Sequence, residues 1–472
     1  MQRLLRPLTV VPLGHLTIDK LSDDVLLRIF DSYRREVEDI NSTWRWHVLV
    51  HICKRWRRII FAFPGHLNLQ LVCKSKTDMK TTLDIWPALP ISIQASFGRS
   101  ADEDDILGAL GNRDRIAGIN FECLTRSDLK KCVALMQQSF PVLSSLDLST
   151  TDNEIGYVSS DAFLGGSAPQ LKRVSLGGIR FPALPKLLSS ARDLVDLYLA
   201  DFSISGRGSV SLEAMVTCLS MLTRLQSLTI GFKEEISSPD PTSQIPTSLT
   251  PTVLPALTDL LLTGPYEYLE NILTRIDTPL LEDGDLQFHD VPKFDHPQVS
   301  QFIHRTGMFN LPSGVDVYVP KAVFFRLLSS IGPEKKFSVA FLGPDFDLHT
   351  EGGIEIFTRC PPLLSHIERL RLSENDGEDR YMWPQTGPWL DFLQPFTAVQ
   401  TLRLSGSVLM PGVSRTLGEL AEERATEMLP ALRTLELECT REIVPEVARL
   451  IKPFIVARKH SEHPVVVMRI SP

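Results

Sequence analysis

FPVLSSLDLS, residues 140–149, sets Leu146 and Leu148 either side of one polar residue, with Leu143 three positions earlier. The same figure, P-x-L-x-x-L-x-L, returns as APQLKRVSLGG (168–178), ARDLVDLYLAD (191–201), LTRLQSLTIGF (222–232) and LPALTDLLLTG (254–264). It returns again as SHIERLRLSEN (365–375), FTAVQTLRLSG (396–406) and LPALRTLELEC (429–439). RIAGINFECL (115–124) reads as a first copy. TPLLEDGDLQFHD (278–290) is a degenerate one, with Gly284 where an apolar residue is expected.

Each L-x-L is a short strand whose two Leu share one face, because side chains alternate along a strand. The residues between copies are long enough for a helix or turn over the other side. One such unit cannot bury its apolar face alone, but stacked units can. Copies recur at roughly 23 to 33 residues, near the leucine-rich range. The expectation is an α/β chain whose residues 111–472 form a curved leucine-rich-repeat-like solenoid with a parallel sheet on its concave face. The middle residues of the strands then point to that face. They place Asp147, Ser175, Tyr198, Thr229, Arg371, Arg403 and Glu436 in a row, as a substrate surface or as an ordinary solvated strand face. If the register holds, Arg371 and Arg403 are neighbours suited to an acidic or phosphorylated segment. Between Pro292 and Gly353 the figure lapses, yet VDVYV (315–319) and FSVAFLG (337–343) read as strands, so the solenoid is expected to continue. VVVMRI (465–470) reads as a terminal edge strand, and SSPDPTSQIPTSLTP (237–251) as a mobile loop.

The chain has 472 residues, 43% of them hydrophobic, and a net charge of -8. That acidic balance argues against a large phosphate-binding footprint, and so against nucleic acid as a partner. Seven scattered cysteines without a C-x-x-C suit a reduced intracellular setting, cytoplasmic or nuclear. Pro7, Pro12 and Gly14 interrupt the apolar lead-in, which reads as a tail over residues 1–15 and not as a targeting peptide. No run approaches the ~20 apolar residues of a membrane helix.

Two further stretches lie near the N-terminus. LTIDKLSDDVLLRIFDSY (16–33) offers Ser22 as an N-cap, Asp23 and Asp24 in the first turn, and an apolar face of Val25, Leu26, Ile29 and Phe30. WHVLVHICKRWRRII (46–60) spaces Trp46, Leu49, Ile52, Cys53, Trp56, Ile59 and Ile60 as one helical stripe. His47 and His51 lack the Glu of H-E-x-x-H, since Val48 stands in its place, and no third ligand follows. The stripe is therefore a partner-binding or a core helix. Two short amphipathic helices cannot form a large core alone.

The succession L-S-D-D-V-L-L-R-I-F, then W-H-V-L-V-H-I-C-K-R-W-R-R-I, resembles an F-box. It departs from that pattern at Ser22, where Pro is usual, and in the longer loop Arg34–Arg45. Residues 63–93, PQVSQFIHRTGMF, WLDFLQPFTAVQTLRLSG and IVARKHSEHPVVV are also similar to the F-box proteins of mushroom-forming fungi, so the resemblance covers essentially the whole chain. It implies an F-box over 16–63, a linker and cap over 64–110, then the solenoid. It implies a substrate-recognition subunit of a cullin–RING ubiquitin ligase. The F-box would dock on the S-phase-kinase-associated adaptor, and the repeats would hold an unknown protein substrate. Adaptor contacts are expected from Leu21, Val25, Leu26, Ile29, Phe30, Leu49, Cys53 and Trp56, some of which must also hold the helices together. The alternative is an F-box/leucine-rich scaffold or binding module with no ligase role.

Catalytic signatures are missing from the sequence. GGSAPQ (165–170) fails as a nucleophile elbow, GRGS (206–209) is a turn, and no P-loop is present. ENDGEDR (374–380) lacks calcium-loop spacing. SADEDDILGAL (100–110) is explained by a capping Ser and first-turn acids. Cys123, Cys218 and Cys439 fall within or beside repeats, where burial is ordinary. A non-catalytic adaptor without cofactor or metal is expected.

Overall fold

The L-x-L alternation appears in three dimensions as strands buried on one face only. The computed structural model describes residues 18–35, 45–63, 71–74, 83–84, 88–97, 106, 108–151, 156–158, 161–202, 210–232, 251–289, 297–306, 312–319, 322–329, 336–342, 364–374, 389–406, 409–420, 422–438 and 444–470. The stretch 237–250, residues 375–380 of ENDGEDR, GRGS and Cys439 lie outside them. The chain divides into two units, Met1–Phe121 and Glu122–Pro472.

The described residues of the first unit include three helices, α1 (Asp23–Arg35), α2 (Arg45–Ile52) and α3 (Lys54–Ala62). Ser22 caps α1, its Oγ accepting the Val25 N–H at 3.4 Å, and Asp23 and Asp24 sit against the helix dipole. The expectation of one continuous helix over 46–60 is corrected. Cys53 is extended (φ -155, ψ 167), and its thiol accepts the Trp56 N–H, so a new helix starts at Lys54. Apolar spacing alone misses this break, because Cys53 keeps the periodicity while its backbone leaves the helix. Leu26, Leu27, Phe30, Leu49, Val50, Trp56, Ile59 and Ile60 close into one core with Leu71 and Leu89. Phe30 meets Trp56 at 4.8 Å between ring centroids. Arg55 pins α3 to the start of α1 through the Asp23 carboxylate at 2.7 Å and the Leu21 carbonyl at 2.5 Å. Two parallel strands follow, β1 (Leu71–Lys74) and β2 (Ile91–Ser96). β2 lies between β1 and β3 (Ile116–Leu124), which runs across the division between the units.

The second unit is built on one repeated step. The strands of its main sheet begin with β4 (Ser145–Thr150), β5 (Arg173–Gly177), β6 (Asp196–Phe202), β7 (Ser227–Phe232), β8 (Asp259–Pro265) and β9 (Asp283–His289). They continue as β10 (Pro312–Val319), β11 (Ala322–Ser329), β12 (Lys336–Leu342), β13 (Arg369–Glu374), β14 (Thr401–Ser405), β15 (Thr434–Glu438) and β16 (Val466–Ile470). Neighbours β4 to β9 pair in sequence order and in parallel, as do β13 to β16. The Leu before each L-x-L makes a tight turn: Leu143, Leu171, Leu194, Leu225 and Leu432 each donate to the carbonyl three residues back. The next strand then hooks onto the previous one, as in Lys172 N–H to Ser144 O and Gln226 N–H to Val195 O, both 2.8 Å. Both Leu of each pair are buried, as at Leu146 and Leu148 or Leu435 and Leu437.

Helices cover the buried face between strands. α4 (Arg126–Leu135) starts in a reciprocal cap between Thr125 and Asp128. α5 (Leu184–Ser190) and α6 (Leu212–Leu219) follow, the latter capped by Ser211. Further along come α7 (Tyr266–Arg275), α8 (Pro297–Arg305), α9 (Trp389–Leu393), α10 (Leu409–Glu419) and α11 (Val444–His460). α10 and α11 pack so closely that a Cβ at Gly418 would strike the Leu450 carbonyl oxygen. Arg458 on α11 is buried and donates to the carbonyls of Pro430 and Leu432 at 3.3 and 2.8 Å, tying the last helix to the turn before β15.

Between Pro292 and Gly353, where the repeat figure lapses, VDVYV and FSVAFL lie in strands of the same sheet as expected, but their pairing is not that of a repeat. β10, β11 and β12 form an antiparallel meander inserted in reverse order, so β9 pairs with β12 and β13 with β10, both in parallel. β11 (AVFFRLLS) carries no L-x-L figure and escaped the sequence reading. Gly284 also has a reason. Its register partner on β12 is Phe337, fully buried, whose ring occupies the space a side chain at 284 would fill.

Candidate functional site

Two surfaces carry the sequence candidates. The first is the helical face of the N-terminal unit. Of the eight residues expected to meet an adaptor, Leu26, Phe30, Leu49 and Trp56 are buried in the unit's own core, and Leu21 is partly buried against it. Val25 (41% exposed) and Ile29 (43%) stand one turn apart on the outer face of α1. Cys53 is exposed and serves as the cap of α3. Val48 (57% exposed), which the stripe leaves out, and Ile52 (54%), which it holds but which is not among the expected adaptor contacts, form another pair one turn apart on α2. Their spacing was the available signal, since Val48 lies off the stripe that was taken as the seam. Exposed β-branched residues in i, i+4 pairs on two neighbouring helices are costly to hydrate and suit burial by a partner.

The second surface is the open face of the second unit's sheet. The expected row exists in register. Asp147, Ser175, Tyr198 and Thr229 are successive Cα partners on β4 to β7, and Arg371, Arg403 and Glu436 on β13 to β15. Five residues separate the two groups: Leu261, Asp285, Ser338, Arg326 and Asp316. The row is thus one line with two separate ends.

The ends differ chemically. Arg371 and Arg403 are side by side, and both donate to one carboxylate oxygen of Glu438, at 3.2 and 2.9 Å. Their charges are largely answered within the chain. Glu438 was missed, although it lies two residues beyond Glu436 and so on the same strand face. At the other end Asp147 is half-buried. Burial pushes its carboxyl above the ordinary value, a hydrogen bond with Ser175 pulls it back, and the neighbouring Glu122 charge raises it. Tyr198 projects from the middle of this end, 46% exposed.

Among the described residues no group of three or more His, Cys, Asp or Glu is placed to hold a metal ion. No described helix is long and apolar enough to cross a membrane. Cys218 is buried, its thiol pushed up to about 12, while Cys123 is exposed. No known family pattern and no curated protein matches this chain.

Proposed function

We propose that the chain is a substrate receptor of a cullin–RING ubiquitin ligase, its N-terminal helices docking the S-phase-kinase-associated adaptor and its repeat sheet holding a protein substrate. The observation that carries this reading is the division of labour in α1–α3. Phe30 and Trp56 close a small internal core, while the pairs Val25/Ile29 and Val48/Ile52 are left outside. Among the described residues that core closes without those four side chains. Ser22, the departure from the F-box pattern, still caps α1, so the helix start survives the loss of Pro. This favours a working docking surface over a decayed one. The protein would contribute proximity and not bond making.

Co-expression with the adaptor, followed by affinity capture and size-exclusion chromatography, tests the reading. Val25→Asp/Ile29→Asp should lower capture roughly tenfold or more, since two half-exposed apolar side chains would no longer be buried. The fold should persist, because neither residue belongs to the core. A folded wild-type chain that ignores the adaptor would end the ligase role. The sheet would then be a binding module in its own right.

A further inference from the structure

We infer that the outer edge of the second unit's sheet, β16 with the neighbouring side of α11, takes an extended segment of a partner protein as a further strand, one in which apolar residues alternate with acidic ones. This surface is separate from the two described above, so the inference does not rest on a ligase role.

Among the described residues β16 pairs with β15 alone. Its residues Val466, Val467 and Met468 are 59%, 43% and 43% exposed. Consecutive strand residues point to opposite faces, so neither face of β16 is covered. A unit that only closes an array carries a polar outer face for solubility, and three successive apolar residues do not serve that end. The backbone says what fits. Val466 donates its N–H to the Arg433 carbonyl on the β15 side, at 2.8 Å. In a parallel pair successive residues bond to opposite sides, so the amide and carbonyl of Val467 point away from β15. An outward-pointing amide and carbonyl on an extended chain are matched by another extended chain.

The helix supplies the charge. On α11, Val447, Ile451 and Phe454 are buried, and Leu450 and Pro453 face Gly418 of α10. With about 3.6 residues per turn, the side of α11 away from α10 carries Lys452, Ile455 and Lys459. Both lysines are exposed, and Ile455 is half-buried between them. Glu446, the one acid of this helix, lies four residues before Leu450 and so on the α10 side. β14, β15 and β16 advance in one direction, and α10 and α11 with them, so the lysine side is the side of the sheet's outer edge. Val467 shares the helix-covered face, being in register with buried Leu435. A strand added to β16 therefore lays one set of side chains beside Val466 and Met468 on the open face, where apolar residues fit. It lays the other set beside Val467, on the side of Lys452 and Lys459, where acids fit. Area decides against a second copy of the chain as the occupant: β16 offers five residues, whereas a stable interface uses roughly 20–30 residues a side.

The test uses the full chain without adaptor, and two fluorescein-labelled octapeptides, alternating valine–glutamate and alternating valine–lysine, as probes in fluorescence anisotropy. Saturable binding of the glutamate peptide is expected, with little binding of the lysine peptide. Lys452→Glu/Lys459→Glu should weaken the glutamate peptide roughly five- to tenfold, as two exposed ion pairs give way to two repulsions, and should strengthen the lysine peptide. Val467→Pro removes an amide that β15 does not use, a change an edge strand tolerates, and should abolish binding. Val467→Thr, which keeps the amide and the branched side chain, should retain it. The control Lys130→Glu/Lys186→Glu, at two exposed lysines on α4 and α5, should leave binding unchanged. If Val467→Pro fails to fold, the glutamate peptide methylated at every backbone nitrogen carries the same test on the wild-type chain, and should not bind. Absence of glutamate-peptide binding, undiminished binding of the methylated peptide, equal loss in the lysine control, or a preference of the wild-type chain for the lysine peptide would overturn the inference. A wild-type dimer in size-exclusion chromatography with light scattering, made monomeric by Val467→Pro, would overturn it too, by naming a second copy as the occupant.

Discussion

The pairing of Gly284 with Phe337 makes a sign-reversing prediction. A Cβ at residue 284 would lie 2.6 Å from Cε2 of the Phe337 ring and closer still to its Cδ2, far inside ordinary contact. Phe337 is fully buried and also faces Phe302, at 6.4 Å between centroids. The ring therefore cannot retreat without disturbing α8. Gly284→Ala alone should cost about 1–3 kcal/mol as an overpacked site. Phe337→Ala alone should cost about 3–5 kcal/mol through lost burial and the cavity left behind. In the double variant the new methyl enters the space the ring vacated. The next nearest atom, Leu281 Cδ2 at 3.4 Å, is at a tolerable distance. The alanine should then be neutral or stabilising by up to about 1 kcal/mol, as the glycine's unfolded-state entropy is also reduced. Urea unfolding followed by far-UV circular dichroism, on all four proteins, gives the cycle. A coupling of roughly 1–3 kcal/mol is expected, as for residues in contact. If Gly284→Ala destabilised both backgrounds equally, to within ~0.5 kcal/mol, steric occupation by Phe337 would not be why residue 284 is glycine.

Three other outcomes follow from the geometry. Gly418→Ala drives a methyl onto the Leu450 carbonyl and should separate α10 from α11, at a cost of about 1–3 kcal/mol, seen as a lowered unfolding midpoint. Cys218, buried with its thiol pushed up to about 12, should resist iodoacetamide at pH 8 in the folded chain, while exposed Cys53 and Cys123 alkylate; peptide mass spectrometry reads all three. Asp147, raised above its ordinary 3.8 mainly by burial, binds its proton more tightly folded than unfolded. Its contribution to stability is present below pH 3.8 and is lost as pH rises through the raised value. Asp147→Asn should therefore stabilise the chain at pH 7 and lose that advantage as pH falls toward 4, in a pH series of thermal melts.

The repeat strands were legible because their energetics are local. An L-x-L with a Leu three residues earlier fixes strand, turn and buried face at once, and the register then aligned Asp147 through Thr229, and Arg371 through Glu436, as spacing implied. Two things were not legible. The break at Cys53 is a backbone event inside an unbroken apolar rhythm, and nothing in that rhythm records φ or ψ. The meander depends on which strand pairs with which across tens of residues, and VDVYV, AVFFRLLS and KFSVAFL look alike to any period-two count. The surfaces were half legible. Periodicity identified apolar residues in α1 and α3, but which of them the small core consumes was decided by packing, so Phe30 and Trp56 went inside while Val25 and Ile29 stayed out. The Arg371–Arg403 pair was anticipated, and its intramolecular carboxylate, Glu438, was not.

The meander has a consequence that can be put as parity. Three strands, each reversing the last, return the chain to its starting direction, so β13 meets β10 in parallel just as β12 meets β9. Two strands or four would have left one of the meander's two junctions with the flanking repeats antiparallel. An odd insertion is thus invisible to the strands on either side: the register line from Asp147 to Glu436 crosses it without changing face. Single repeats elsewhere in the array can be gained or lost one at a time. These three strands can be gained or lost only together or in pairs.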